Sequence, residues 1–119
     1  ALRRSERRWR FALDGMGDGI WVLSIATGRL APSASWSALL GLPGASVPRN
    51  RAGLEALIHP EDVAGFSRAF DEFAAGRATS FAAEVRLRGA DGGWLWTLNR
   101  AAVTDRGPRG APQEIVGVT

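Results

Sequence analysis

The chain has 119 residues, of which 45% are hydrophobic and 23% charged, the composition of one globular domain with a single core. It contains no cysteine, which excludes disulfides, thiolate nucleophiles and cysteine-ligated metal or iron–sulfur sites and fits a cytoplasmic compartment. All 15 basic residues are arginine, but the net charge is only +3, and no apolar run approaches the roughly 20 residues of a membrane span.

The first predicted element is an amphipathic helix over residues 1–14, ahead of a core domain over residues 15–119. Leu2, Trp9 and Leu13 lie near one helical face, and arginines crowd the remainder. This pattern is typical of a solvated helix that caps a domain, and a dimer helix or a basic patch for phosphate groups are the alternatives. A glycine-rich turn ends the helix.

A first hairpin and a short helix follow. Residues 20–25 and 29–33 read as two strands joined by a Thr-Gly turn. The Pro-Ser-Ala-Ser sequence at 32–35 then offers an N-cap for a short helix over 36–40, which Gly41 closes.

The only long helix is predicted to begin at the His-Pro-Glu-Asp sequence of residues 59–62 and to stop at Gly76. Proline is accepted in the first turn of a helix, and two acidic residues suit the positive end of its dipole. Ahead of it, residues 42–51 are a loop and 52–58 form two helical turns at most. Apolar side chains recur along the helix at three- and four-residue steps: Val63, Phe66, Phe70 and Phe73.

Two alternating segments on either side of the glycine-rich residues 89–93 predict the central hairpin. Its second strand places Trp94 and Trp96 on one face and Thr97 and Asn99 on the other. Adjacent tryptophans on a sheet face require a cover, and buried polar side chains require partners.

With a last strand over residues 113–119, these elements predict an α+β fold, an antiparallel sheet with helices on one face. Because the chain ends inside that strand, we expect a segment of a longer protein.

Seven landmarks in the same order make the sequence resemble a PAS domain of the third fold type, over about residues 9–119. They are Asp18-Gly19-Ile20-Trp21, Thr27-Gly28, Trp36-Ser37-Ala38-Leu39-Leu40-Gly41, His59-Pro60-Glu61-Asp62, Glu84-Val85-Arg86-Leu87, Asp91-Gly92-Gly93-Trp94-Leu95-Trp96 and Val116-Gly117-Val118-Thr119. The resemblance implies a five-stranded antiparallel sheet of order 2-1-5-4-3 that curls around a cavity. It also implies a non-catalytic sensor and dimerisation module of a signalling protein.

The resemblance further implies the partners and the two faces of the sheet. We expect a homodimer and an output domain in the same chain, of a histidine kinase or, second, a diguanylate cyclase. The candidate cavity residues are Trp21, Leu23, Phe66, Phe70, Val85, Leu87, Thr97, Asn99 and Ile115, with Leu95 on the same face. The candidate interface residues are Trp9, Leu13, Trp94, Trp96, Leu98 and Val116, with Arg86 and Arg88 beside them.

Single residues limit the cofactors. His59, the only histidine, is expected to cap the long helix rather than to bind a metal, and haem-binding relatives carry their axial histidine inside that helix, where this chain has none. Flavin is disfavoured by the leucine and alanine around Thr97 and Asn99. Those two residues define either a site for an unknown small ligand or polar groups that the protein itself satisfies.

An alternative function is a single-stranded nucleic-acid or protein-binding module that uses the arginines and tryptophans of the outer sheet face. Glu84 and Leu98 share that face, so we expect no nucleic acid, and no membrane contact within this segment. On the same face, Glu84 is expected to form ion pairs across the strands with Arg86, Arg88 and Arg100. An enzyme would need a catalytic constellation, and the sequence offers none.

Overall fold

The computed structural model describes residues 19–119. The predicted N-terminal helix, with Trp9 and Leu13, lies outside these residues. The strands are β1 Ile20–Ser24, β2 Leu30–Pro32, β3 Phe81–Arg88, β4 Trp94–Arg106 and β5 Pro112–Val118. The helices are α1 Ala34–Leu40, α2 Arg51–Glu55 and α3 Pro60–Ala74. None of the helices in the described part of the chain is long and apolar enough to cross a bilayer.

The strands form one antiparallel sheet in the order β2-β1-β5-β4-β3, which confirms the predicted α+β fold and strand order. β5 lies in the middle, with Trp21 opposite Gly117 on one side and Ala101 opposite Gly117 on the other. β3 accompanies the first part of β4, from Trp94 to Ala101, whereas β5 accompanies it only from Arg100 to Arg106. The first half of β4 therefore has a described neighbouring strand on one side only.

Local chemistry sets the ends of α1 and α3, and α1 begins at Ala34, two residues before its predicted start. Ser33 accepts a hydrogen bond from the backbone N–H of Trp36, and Gly41 ends α1 in the left-handed region at φ 67°. His59 caps α3, its Nδ1 accepting the backbone N–H of Glu61 at 3.1 Å. Gly76, at φ 81°, follows the end of α3.

The core lies between the sheet and α3. The α3 phenylalanines at the predicted spacing, Phe66, Phe70 and Phe73, are all buried against the sheet. On the sheet, the indole of Trp21 lies against Gly117 of the neighbouring strand, so a Cβ added at Gly117 would overlap the ring. Only glycine leaves room for this packing.

Candidate functional site

The inner face of the sheet holds most of the residues proposed from sequence as cavity lining. Those that belong to the single buried core are Trp21, Leu23, Phe66, Phe70, Val85, Leu87 and Ile115. Phe81 of β3 belongs to the same core, and the rings pack directly: the centroids of Phe70 and Phe81 are 5.3 Å apart, and those of Trp21 and Phe70 are 6.0 Å apart. These are contact distances for edge-on and tilted aromatic pairs. Aromatic side chains therefore occupy part of the space in which a cavity is predicted.

The two polar residues on this face, Thr97 and Asn99, have protein partners. Asn99 is buried, with 4% of its surface exposed, and its amide nitrogen donates to Thr97 Oγ1 at 3.0 Å. Thr97 donates to the carbonyl oxygen of Val85 at 2.9 Å, and Thr119 donates to Asn99 Oδ1 at 2.8 Å. This geometry corresponds to the alternative in which the protein itself satisfies both side chains.

The outer face of the sheet carries the two tryptophans of β4. Trp94 is 40% exposed and Trp96 is 63% exposed. The register places Arg88 opposite Trp94 and Arg86 opposite Trp96, and each guanidinium carbon lies about 5 Å from its ring centroid, at 5.0 and 4.9 Å. Cation–π stacking thus covers part of each indole, which the sequence analysis did not foresee.

His59 also reaches this face. Its ring lies 4.6 Å from that of Trp94, at an angle of 55°. Its Nδ1 is turned toward the start of α3, where it accepts the backbone N–H of Glu61. Within residues 19–119, no group of three or more His, Asp or Glu side chains is arranged as metal ligands.

Arg86 is held from the side by α3. Its Nε and Nη2 donate to the two carboxylate oxygens of Asp62, both at 3.0 Å, and its backbone N–H also donates to Asp62 at 2.9 Å. Glu61 accepts a further bond from Nη2 at 3.1 Å. The hydrogen bonds from Arg86 lower the pKa of Asp62 to about 2, and the same bonds raise the pKa of Arg86.

This pairing corrects a prediction. Glu84 was expected to form ion pairs with the arginines of the outer face, but the register places Leu98 opposite Glu84. Arg86 instead uses carboxylates of the long helix, 24 and 25 residues away in sequence. Alternation along a strand predicts which residues share a face, but not which element packs against the edge.

The interface residues proposed from sequence separate into exposed and buried ones. Leu98 is exposed like the two tryptophans, whereas Val116 is only 4% exposed within the single chain. Leu95 was expected to face the interior, yet it is 40% exposed. The reason is its position on the first half of β4, which β5 does not accompany.

An open groove of about 600 Å³ lies along this half of β4. Its lining comprises one residue of α1, five of β4 and the last two of the chain: Leu39, Leu95, Trp96, Thr97, Leu98, Arg100, Val118 and Thr119. Side chains from both faces of β4 line it, because the groove follows the edge of the strand. Leu39 was not identified from sequence, where it is one of two adjacent leucines and carries no signal of exposure.

The sequence from residue 29 to residue 119 matches the PAS fold family, PAS_3. A comparison with curated proteins finds no match. Similar solved structures include a sensory box histidine kinase/response regulator from Burkholderia thailandensis, at 24% identity and a TM-score of 0.74, covering 93% of this chain and 81% of that one.

Two more similar structures support the same fold. The N-terminal domain of a diguanylate cyclase with a PAS/PAC sensor, from Marinobacter aquaeolei, has 20% identity and a TM-score of 0.75, with coverage of 85% of this chain and 91% of that one. The PAS domain of a protein from Colwellia psychrerythraea has 17% identity and a TM-score of 0.71, with coverage of 94% and 92%. The family match spans most of the chain, and the strand order and the helix caps agree with it, so this chain belongs to the PAS fold family.

Proposed function

We propose that this chain is a cytoplasmic, non-catalytic PAS sensory and dimerisation module that regulates an output domain in signal transduction. The similar structures named for a sensory histidine kinase and for a diguanylate cyclase support a histidine kinase as the parent protein, with a diguanylate cyclase as the second choice. In this proposal, a second copy of the chain packs on the outer face of β4.

The observation that carries the proposal is where the exposed apolar side chains lie. Among the described residues, every exposed large hydrophobic side chain except Ile25 belongs to α1 or to the first half of β4. We call this set the apolar patch: Leu39, Trp94, Leu95, Trp96 and Leu98. These side chains surround the first half of β4 and line adjoining grooves. Exposed apolar side chains grouped in this way mark an interaction surface, and tryptophan and arginine are enriched in such surfaces.

In this proposal the signal reaches the domain through a partner or through a small ligand in the cavity on the inner face. Trp21, Phe70 and Phe81 pack in contact on that face, which favours a small ligand over a large planar cofactor such as flavin or haem. A change in how the patch is covered would alter the arrangement of the two copies, and the output domain would respond to that arrangement.

The nucleic-acid alternative is less well supported by the same face. Arg86 is already paired with Asp62 and Glu61, so its charge is largely neutralised before any phosphate approaches. Arg86 and Arg88 each occupy part of an indole on which a base would stack. Binding of a single-stranded oligonucleotide that weakens with salt would favour this alternative over the dimer.

The experiment is light scattering of the chain and of a variant with Trp94→Glu and Trp96→Glu. Wild type is expected to have the mass of a dimer at tens of micromolar, and the variant the mass of a monomer, because two carboxylates would be buried in the interface. Ile25→Glu is the matched control at the opposite end of the sheet, where the backbone N–H of Ile25 bonds to Gln113, and it is expected to remain dimeric. A monomeric wild type or a dimeric double variant would contradict the proposal.

A further inference from the structure

Four side-chain hydrogen bonds form a continuous chain through the domain, from α1 to β3. Trp36 Nε1 donates to Thr119 Oγ1 at 3.0 Å, and Thr119 Oγ1 donates to Asn99 Oδ1 at 2.8 Å. Asn99 Nδ2 donates to Thr97 Oγ1 at 3.0 Å, and Thr97 Oγ1 donates to the backbone oxygen of Val85 at 2.9 Å. We call these five residues the relay.

The two ends of the relay fix its direction. The indole N–H of Trp36 can only donate, and the carbonyl of Val85 can only accept. Each hydroxyl between them therefore accepts one bond and donates the next, and the amide of Asn99 must turn its oxygen toward Thr119. If the amide were reversed, Thr97 would donate to Asn99 and could no longer donate to the carbonyl of Val85. The four bonds are thus satisfied together in one arrangement.

The relay crosses four elements that are distant in sequence. Trp36 belongs to α1, Thr119 follows β5, Asn99 and Thr97 belong to β4, and Val85 belongs to β3. The bond between Trp36 and Thr119 spans 83 residues. Trp36, Asn99 and Val85 are buried, so each of the four bonds has one partner shielded from water, and neighbouring bonds in such a chain strengthen one another.

The relay is also close to the apolar patch. Leu39 of the patch lies three residues after Trp36 on the same short helix, about one helical turn away. Thr97 and Thr119 line the groove that runs beside the patch. A movement of α1 would therefore change the first bond of the relay directly.

We propose that the relay acts as one cooperative latch, which couples the position of α1 to the end of β5. Loosening Trp36 weakens the hold on Thr119 and, through Asn99, the bond from Thr97 to Val85. The same coupling runs in the other direction, because linkage between two positions is reciprocal. The regulatory meaning rests on the proposed function, since the latch matters only where an output domain responds to these elements.

The test is a double-mutant cycle between Trp36→Phe and Thr97→Val, two residues that share no hydrogen bond but belong to the same relay. The unfolding constants of both single variants and of the double variant are measured in urea. The two single effects multiplied together give the unfolding constant expected for independent residues. The unfolding constant of the double variant is expected to be smaller than this value by about threefold or more. The cavity left by the smaller ring enters the single variant and the double variant alike, so it cancels in the cycle.

Thr104→Val is the matched control, because Thr104 also lies on β4 and its Oγ1 bonds to the Glu114 side chain of β5, outside the relay. Its effect is expected to be additive with that of Trp36→Phe. Thr97→Ser keeps the hydroxyl and is expected to restore wild-type behaviour. If Trp36→Phe does not fold, Thr119→Val replaces it in the cycle.

Hydrogen exchange tests the latch at β5 itself. The backbone N–H of Thr119 donates to the carbonyl oxygen of Gly19 at 2.9 Å. Thr97 lies on another strand, and Thr97→Val is expected to speed the exchange of the Thr119 amide hydrogen about threefold or more. Additive cycles, or an exchange rate unchanged by Thr97→Val, would overturn the proposal. The cycle is repeated in the Trp94→Glu, Trp96→Glu variant, which is expected to be monomeric. Coupling that persists in this variant supports the relay whether or not the wild type forms a dimer.

Discussion

Both faces of the sheet carry tryptophan, but Trp21 on the inner face is buried and Trp96 on the outer face is exposed. On the inner face, Trp21 is 2% exposed and lies across a glycine of the next strand. On the outer face, Trp96 remains 63% exposed beneath the guanidinium of Arg86. The same side chain is a structural element in one place and an accessible surface in the other.

The two tryptophans differ in how far the groups around them can move when the side chain changes. The indole of Trp21 is enclosed by aromatic rings and backbone, and close-packed interiors resist changes of even one methylene. The ring of Trp96 is mostly exposed and contacts the guanidinium of Arg86, and an exposed cation–π contact contributes only about 0.5–1 kcal/mol. The inner face therefore sets the fold, and the outer face is free to change partners.

The largest effect is expected from replacing the two tryptophans separately by alanine. Trp21→Ala should reduce the free energy of unfolding by about 3–5 kcal/mol, because it removes a buried ring and leaves a cavity. Trp96→Ala should cost less than about 1 kcal/mol in the monomer, the magnitude of an exposed cation–π contact. Urea denaturation at low protein concentration measures both. Equal losses would show that the outer tryptophan is also part of the core.

A smaller effect is expected at the glycine beneath Trp21. Gly117→Ala places a methyl group against the indole and should cost about 1–3 kcal/mol through overpacking. In combination with Trp21→Leu, the cost should fall below the sum of the two single changes. Gly65→Ala in α3 is the control, since nothing lies within 4 Å of the added Cβ, and it should be neutral or stabilising. A neutral Gly117→Ala would contradict the described contact.

The smallest effect concerns the ion pair that holds Arg86 beneath Trp96. The pKa of Asp62 is lowered to about 2 by the bonds from Arg86, so its contribution to stability is present above the ordinary aspartate pKa. That contribution is lost as the pH falls from about 4 towards 2. Asp62→Asn should therefore be less stable than wild type near neutral pH and lose less stability over this acid range.

Arg86→Met should produce the same flattened acid dependence, because it removes the donor that lowers the pKa of Asp62. Thermal unfolding followed across pH 2 to 6 is the measurement. An acid dependence in both variants equal to that of wild type would show that the pair does not form in solution.

The sequence predicts the features that depend on neighbours along the chain. The period of two in β3, the caps at Ser33 and His59, and the phenylalanine spacing of α3 all follow from local geometry, and the structure confirms them. The strand order came from the resemblance of ordered motifs, since no local pattern specifies which strands pair.

The remaining features depend on contacts between distant segments, and the sequence does not reveal them. The approach of Trp21 to Gly117 and the bond from Trp36 to Thr119 join opposite ends of the described chain. Asp62 holds Arg86 because α3 begins beside the edge of β3, which strand alternation does not encode. The exposure of Leu95 follows from where β5 stops accompanying β4.

The central position of β5 also has a consequence for how the domain is made. β1 with β2, and β3 with β4, are hairpins that form from nearby residues, but only β5 joins the two halves of the sheet. During synthesis on the ribosome, the edges of β1 and β4 that pair with β5 stay unpaired until β5 has been made. Pairing between segments so distant in sequence is slow. We expect this waiting period to be the stage at which the nascent domain is most exposed to aggregation.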